Sequence, residues 1–527
     1  MRWSLGGAET AVHEAWEAAT ASRLAARIRS GDTSAWGDHA EGVAPWIGWL
    51  RAPFEMRQHV PLLEAIARQA RRDGITHAVL LGMGGSSLCP EVTRRTFGAP
   101  SGIELRVLDS TDPASVAASA EGIDPATALF IVASKSGTTV EPLTFEAYHW
   151  DRAVRALGEA EAAKHFIAIT DPGTPLGDAA RARGYRAVLE NPKDIGGRFS
   201  ALSLFGLLPM ALAGVPLHPL LDRAQAALAS DEPNRLGVAL GTLARAGRDK
   251  VILMVDPPLS VLGLWIEQLV AESMGKQGLG IVPVAQEPGG RPADYGDDRV
   301  FVYHRITGDL DQDAAALAAA GHPVITMDVP ETLDLGGVYM AWELATAAAG
   351  TILGVNPFDQ PDVQAAKDVT VKVLGDIEAG RAPADEREGT DAAVRLIGQV
   401  KDGDYVAIQA FCPESPAADR AAADLRRAIR ARTGAVTTFG YGPRFLHSTG
   451  QLHKGGPDTA VCLQLIGQDP VDAPVPGRPW TFSQLKCAQA IGDAEALAAR
   501  GRRLARVDIG PDAAAGIAAI TALLNGN

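Results

Sequence analysis

Two short loops rich in glycine and hydroxyl groups carry the residues best suited to hold an anion. Gly82-Met83-Gly84-Gly85-Ser86-Ser87 follows an apolar run at 77–81 and precedes a helical pattern. Ser134-Lys135-Ser136-Gly137-Thr138-Thr139 stands in the same way behind the run 128–133. Glycines let the backbone approach an anion, the first amides of a helix point at it, and hydroxyls add donors. The plain alternative for either loop is helix N-capping by Ser or Thr. Two such loops, with six hydroxyls between them, favour a phosphate cradle. Ser87 stands where a dinucleotide fingerprint needs its third glycine, and no P-loop pattern occurs.

Other residues have the types that proton transfer needs. Gly196-Gly197-Arg198-Phe199-Ser200 sets an Arg behind two glycines, ahead of the helical run 201–212. A fixed guanidinium there suits an oxyanion, although an isolated Arg is more often a surface group. Gln268 and Glu272 lie four apart on the helical pattern 261–274, so they share a face. Glu272 suits a general base. It could also pair with Lys276, but Gly275 and Gly278 predict that the helix ends before Lys276. Asn356-Pro357-Phe358-Asp359-Gln360-Pro361 opens another helix, with Gln360 and Lys367 two turns apart. His447-Ser448-Thr449-Gly450-Gln451-Leu452-His453-Lys454 is a polar segment whose two His do not have zinc-ligand spacing. On its own, His447 reads more readily as a structural residue than as a catalytic one.

These segments need a scaffold, and the spacing of apolar runs supplies one. Runs at 77–83, 103–108, 128–134 and 165–170 alternate with helical stretches, and a second set follows at 250–255, 300–304, 323–329, 405–410 and 435–439. That alternation predicts an α/β chain of two doubly wound parallel sheets with helical N- and C-terminal extensions. The expected divisions are 1–50, helical and without strands; 51–230; 231–465; and 466–527, helical with one late strand at 504–509. Segment 228–248 reads as a linker, and 379–392 and 467–480 as loops. Two or three domains suit a chain of 527 residues that is 46% hydrophobic and 21% charged. A net charge of −14 argues against a general nucleic-acid or membrane-surface binder. The four cysteines form no CxxC pair and read as reduced thiols of a cytoplasmic protein. Neither a signal-peptide-like start nor a run of membrane-spanning length is present.

Taken together, the segments resemble the glucose-6-phosphate isomerase family, built from two sugar isomerase (SIS) domains, over about residues 50–460. The loops at 84–86 and 134–139 are similar to its two phosphate-binding loops, and 196–200 to its Gly-Gly-Arg element. Gln268 to Lys276 is similar to the segment with the catalytic glutamate, and 356–367 to the lysine-bearing helix. In detail the chain looks like the isomerase half of bacterial transaldolase–isomerase fusions, without the transaldolase half. The resemblance implies interconversion of glucose 6-phosphate and fructose 6-phosphate through a cis-enediolate. Gly85, Ser86, Ser134, Ser136, Thr138 and Thr139 would hold the phosphate, with Lys135 adding charge or structure. His447 and Lys367 would open the sugar ring, Glu272 would carry the proton between C2 and C1, and Arg198 would stabilise the enediolate. Gln268 and Gln360 would bind hydroxyls. Neither a metal nor an organic cofactor is implied.

One departure stands out. Most family members carry the histidine between the glutamate and the lysine, whereas His447 follows both, with His304 as the reserve candidate. The resemblance also implies a homodimer in which each site takes its histidine from the neighbouring subunit. Isomerisation of another sugar phosphate, such as mannose 6-phosphate or a heptose phosphate, fits the same loops. A non-catalytic sugar-phosphate sensor needs the loops but neither Glu272 nor Arg198.

Overall fold

The computed structural model describes residues 1–100, 102–381 and 383–526. Its architecture is α/β, with three sheets rather than two. The first contains β2 (His77–Gly82), β3 (Glu104–Leu108), β4 (Ala128–Ala133), β5 (Phe166–Thr170) and β6 (Ala187–Glu190), all parallel, in the order β3-β2-β4-β5-β6. Its strands are nearly unbroken apolar runs because helices cover both faces; every residue of β4 is buried.

The second set of runs divides between two sheets. β7 (Lys250–Val255), β8 (Val282–Val284), β9 (Arg299–Arg305) and β10 (Val324–Asp328) are parallel. A short antiparallel strand, β1 (Arg2–Ser4), closes their edge by pairing with β10. The third sheet contains β11 (Tyr405–Phe411), β12 (Val436–Tyr441), β13 (Ala460–Gly467) and β14 (Arg503–Gly510), in the order β12-β11-β13-β14. Apolar runs declare a buried strand but not the sheet it joins, so β11 and β12 read as a continuation of the second sheet. β6 and β8 are too short to show a period, and β1 lies in the stretch read as strandless.

All three sheets share one winding. The chain leaves a starting strand to one side and returns on its other side. The order therefore reverses between β2 and β4, between β7 and β9, and between β11 and β13. Such switch points open crevices at the carboxyl ends of the strands.

Two segments between the sheets matter for their assembly. The expected linker 228–248 holds helix Glu232–Arg245, with Leu236, Val238, Leu240 and Leu243 buried in the largest core. Its Ala and Gly residues weaken the apolar signal yet let it lie close against helix Leu335–Leu353. Loop 379–392 includes Ala382, which lies outside the described residues; among the others, Glu388 bridges to Val507 of β14. Helix Phe482–Ala499, in the C-terminal stretch, contributes Phe482, Leu485, Ala488 and Ile491 to one core with Val79, Leu81, Phe130 and Val132 of the first sheet. Among the described residues no helix is long and apolar enough to cross a membrane.

At the second switch point the protein fills an anion nest with its own carboxylate. Asp256, behind β7, accepts from the amides of Ile306, Thr307 and Gly308 at 2.8, 2.8 and 2.7 Å and from the Tyr303 hydroxyl at 2.9 Å. Burial raises its carboxyl, but these donors outweigh burial and hold it below 3.8. Its stabilisation is therefore complete above the unfolded value and is lost as pH falls through the lower folded value. Asp256→Ala is expected to cost about 3 kcal/mol in urea unfolding at pH 7, because three amides lose a charged acceptor. Asp256→Asn should cost less, and equal stability of all three proteins would contradict this account.

Candidate active site

The two hydroxyl-rich loops meet at the first switch point, behind β2 and β4. Gly84–Ser86 forms a 3-10 turn ahead of helix Leu88–Phe97, and Ser134–Thr139 precedes helix Val140–Leu157. The capping alternative is not realised in either helix: neither Ser87 nor Thr139 makes a side-chain cap bond. Ser87 Oγ donates to the Gly84 carbonyl at 3.1 Å, and in the second loop the hydroxyls bond one another, Ser134 Oγ to Thr139 Oγ1 at 3.2 Å and Thr138 Oγ1 to Ser136 Oγ at 3.0 Å.

Between the loops lies a cavity of about 200 Å³. Gly85, Lys135, Arg198, Gln268, Glu272, Gln360, Lys367 and His447 all line it. Ser86, Ser134, Ser136, Thr138 and Thr139 stand on the same loops but outside the cavity lining. Lys135 binds Asp171 and the Lys193 carbonyl and lies 5.5 Å from the ring centre of Trp46, which also lines the cavity.

Arg198 is 4% exposed, so it is no surface group. Its Nε donates to Ser273 Oγ at 2.8 Å, and Nη2 to the carbonyls of Pro357 and Asp359, both at 2.8 Å. Nη1 reaches Gln360 Oε1 at 3.0 Å and Glu272 Oε1 at 3.4 Å. Burial lowers the Arg198 pKa, and the charges of Glu272 and Asp359 oppose that. Helix Leu262–Met274 ends before Lys276, which binds Asp359 Oδ1 at 2.5 Å and the Asn356 carbonyl, not Glu272. Burial and the nearby Arg198 charge push the Lys276 amine down to about 7. Both cations thus grip loop 356–360. Gln268 Nε2 donates to Glu272 Oε2 at 3.2 Å and to the His447 carbonyl at 2.8 Å, tying base and histidine segments together.

His447 comes from the turn Arg444–His447 behind β12 and lines the cavity of its own chain. This differs from the neighbouring-subunit histidine that the resemblance implies. The third sheet brings it there. Arg444 binds Asp109 through two bonds of 2.9 and 2.8 Å, and Lys486 binds Asp112 at 2.7 Å, both across to the loop behind β3. The reserve candidate His304 is fully buried, accepts from Trp342 Nε1 at 2.8 Å and is pushed down to about 4 by burial. His453 is likewise buried and pushed down to about 3, bonded to the Tyr405 hydroxyl.

A phosphoglucose isomerase family model matches residues 56–226. A glucose-6-phosphate isomerase of Rubrobacter xylanophilus is 30% identical over 386 residues, which cover 62% of this chain and 89% of that protein. The chain belongs to the glucose-6-phosphate isomerase family. A relative from Symbiobacterium thermophilum is 29% identical over 65% of this chain and 90% of its own. A hypothetical protein from Thermus thermophilus superposes with a TM-score of 0.59 at 26% identity, covering 71% of this chain and 99% of its own. A glucose-6-phosphate isomerase structure from Chlamydia trachomatis shares the fold with a TM-score of 0.55 at 20% identity, covering 70% of this chain and 81% of its own. As a member of this family the chain is an enzyme of sugar-phosphate isomerisation.

Sequence reasoning missed the carboxylate that meets the histidine. Glu141, two residues past the second loop, accepts from His447 Nε2 at 2.9 Å and is 6% exposed. Burial raises its pKa, but the charge and hydrogen bond of His447 and the charge of Lys367 outweigh burial and lower it. Its signal was available only as an acidic residue in a helix's first turn, which is commonplace. Trp46, Met83, Phe358, Val363 and Leu446 supply the apolar lining. The whole arrangement turns on Gly84 and Gly85. A Cβ on Gly85 would stand 1.9 Å from the Gly197 carbonyl oxygen, and one on Gly84 2.6 Å from that of His447. Gly85→Ala must therefore displace the segment that bears Arg198. Its kcat/KM is expected to fall about a hundredfold, as for an ångström-scale misplacement, with the thermal transition retained. A wild-type rate in this variant would contradict the close packing of the two loops.

Proposed function

We propose that the enzyme interconverts glucose 6-phosphate and fructose 6-phosphate through a cis-enediolate, with Glu272 as the base. The observation that carries this reading is the pairing of Glu272 with a buried arginine, 3.4 Å away, in a cavity bounded by the two phosphate-type loops. The loop amides at 84–86 and the hydroxyls of Ser86, Ser134, Ser136, Thr138 and Thr139 hold the phosphate beyond the cavity lining, on the same loops whose Gly85 and Lys135 line it. That anchor fixes the sugar and removes most of its motional entropy before reaction.

Ring opening needs a proton delivered to the ring oxygen and one removed from the C1 hydroxyl. His447 and Lys367 do this. Because Nε2–H of His447 donates to Glu141, Nδ1 is the nitrogen left for the substrate. Glu272 then removes the proton on C2. The electron pair of that bond forms the C1–C2 double bond, and negative charge moves onto O1. Arg198 Nη1, already beside Glu272, supplies fixed positive charge where this oxyanion develops. Glu272 returns its proton to C1 while the O2 proton passes to O1, so that the C2 carbonyl and the C1 hydroxyl of the ketose form together. Gln268 and Gln360 hold sugar hydroxyls, and their bonds to Glu272 and Arg198 keep them in register with the reacting atoms. Every one of these residues comes from one chain.

Glu272→Gln keeps the shape and the Gln268 contact but cannot accept a proton. It is expected to lower kcat by about 10²–10⁴-fold while still binding sugar phosphate. Exchange of the C2 hydrogen with solvent deuterium should fall in parallel. Exchange at the wild-type rate would remove Glu272 from the mechanism.

A further inference from the structure

Behind the Glu141–His447 contact lies a second, fully buried pair. Gln489, on helix Phe482–Ala499, is 3% exposed, and Thr111, behind β3, is 0% exposed. Gln489 Nε2 donates to Glu141 Oε1 at 2.6 Å, the same oxygen that takes the His447 proton. The Thr111 hydroxyl donates to Gln489 Oε1 at 2.7 Å. The direction of this relay is forced. An ionised carboxylate only accepts, so the amide must turn its NH₂ to Glu141, and Thr111 locks its oxygen the other way.

We propose that Gln489, oriented by Thr111, is a positioning residue that fixes the Glu141 carboxylate and thereby keeps the His447 proton on Nε2, leaving Nδ1 to face the substrate. This rests on the ring-opening role given to His447 above. Two donors on one oxygen hold the carboxylate in a single rotamer and share out its charge, so the His447 proton stays on Nε2. Without Gln489 the carboxylate can turn, and its undivided charge draws on the imidazole. The charged groups facing Glu141 are His447, from the turn behind β12, and Lys367, from helix Gln364–Glu378. Gln489 adds no charge to this set, so replacing it changes geometry and hydrogen bonding alone. On its own helix the flanking charges are engaged elsewhere: Lys486 with Asp112 and Asp469, and Asp493 with Lys454.

Gln489→Leu keeps the volume and removes the donor. It is expected to lower kcat about tenfold, the worth of one hydrogen bond to a charged group, with KM near the wild-type value. The alkaline limb of its kcat/KM profile should move to higher pH, because a Glu141 carboxylate no longer shared with Gln489 pairs more strongly with the imidazolium. Thr111→Val should shift both quantities in the same direction by less, and it carries the test if Gln489→Leu does not fold. In a His447→Ala background Gln489→Leu should have no further effect, since its target is gone. A wild-type rate and pH profile, or an additive loss in that background, would overturn the proposal. His447→Ala separates the two readings. Full activity there removes the ring-opening role itself, whereas a crippled His447→Ala beside an unperturbed Gln489→Leu removes only the positioning role.

Discussion

A carboxylate as deeply buried as Glu141 is stable only if donors surround it, and the donors here come from distant parts of the chain. His447 is 306 residues away in sequence and Gln489 is 348 away. For both to reach one oxygen, the third sheet and the helix Phe482–Ala499 between β13 and β14 must dock on the carboxyl edge of the first sheet. The docking surface is built for that. Asp109 meets Arg444, Asp112 meets Lys486 and Thr111 meets Gln489, all on one loop behind β3. The Lys486 and Gln489 contacts are buried and the Arg444 contact partly so, which makes them costly to leave half-made and therefore selective for one register. Apolar packing of Phe482, Leu485 and Ile491 into the first sheet's core supplies the attraction that these pairs orient.

The same logic governs the other wall of the site. Arg198 is buried, with all three of its nitrogens engaged by Ser273, Gln360, the carbonyls of loop 357–359 and Glu272. Lys276 grips that loop from behind through Asp359 and the Asn356 carbonyl. Burial first, and the neighbouring Arg198 charge after it, lower the Lys276 pKa, so holding both basic groups in one low-dielectric pocket has a cost. The cost leaves a guanidinium that needs no reorganisation when charge develops on a bound substrate.

Local motifs were legible in the sequence. The two loops, Gly196-Gly197-Arg198, Gln360 with Lys367, and His447 reach one region because each follows a strand end or opens a helix, and Gln268 and Glu272 reach it from one face of the helix Leu262–Met274. The end of the helix before Lys276 was also legible, because Gly275 marks it. What pairs across hundreds of residues was not. Glu141 and Gln489 are ordinary helix residues until the sheets dock. The division of the second strand set into two sheets left no mark, since a buried parallel strand reads alike in any sheet. Helix Glu232–Arg245 read as a linker because the small residues that let it pack closely also dilute its apolar pattern.

The central claim is that one chain supplies both the base and the histidine of its own site. Mixing two inactive variants, Glu272→Gln and His447→Ala, tests this most directly. The two are unfolded together, reassembled in equal amounts and assayed with fructose 6-phosphate. If each chain completes its own site, every site in the mixture lacks one group, and activity stays at the level of the separate variants. Recovery toward one working site per mixed dimer would show that His447 acts in a neighbouring subunit, and would contradict the account.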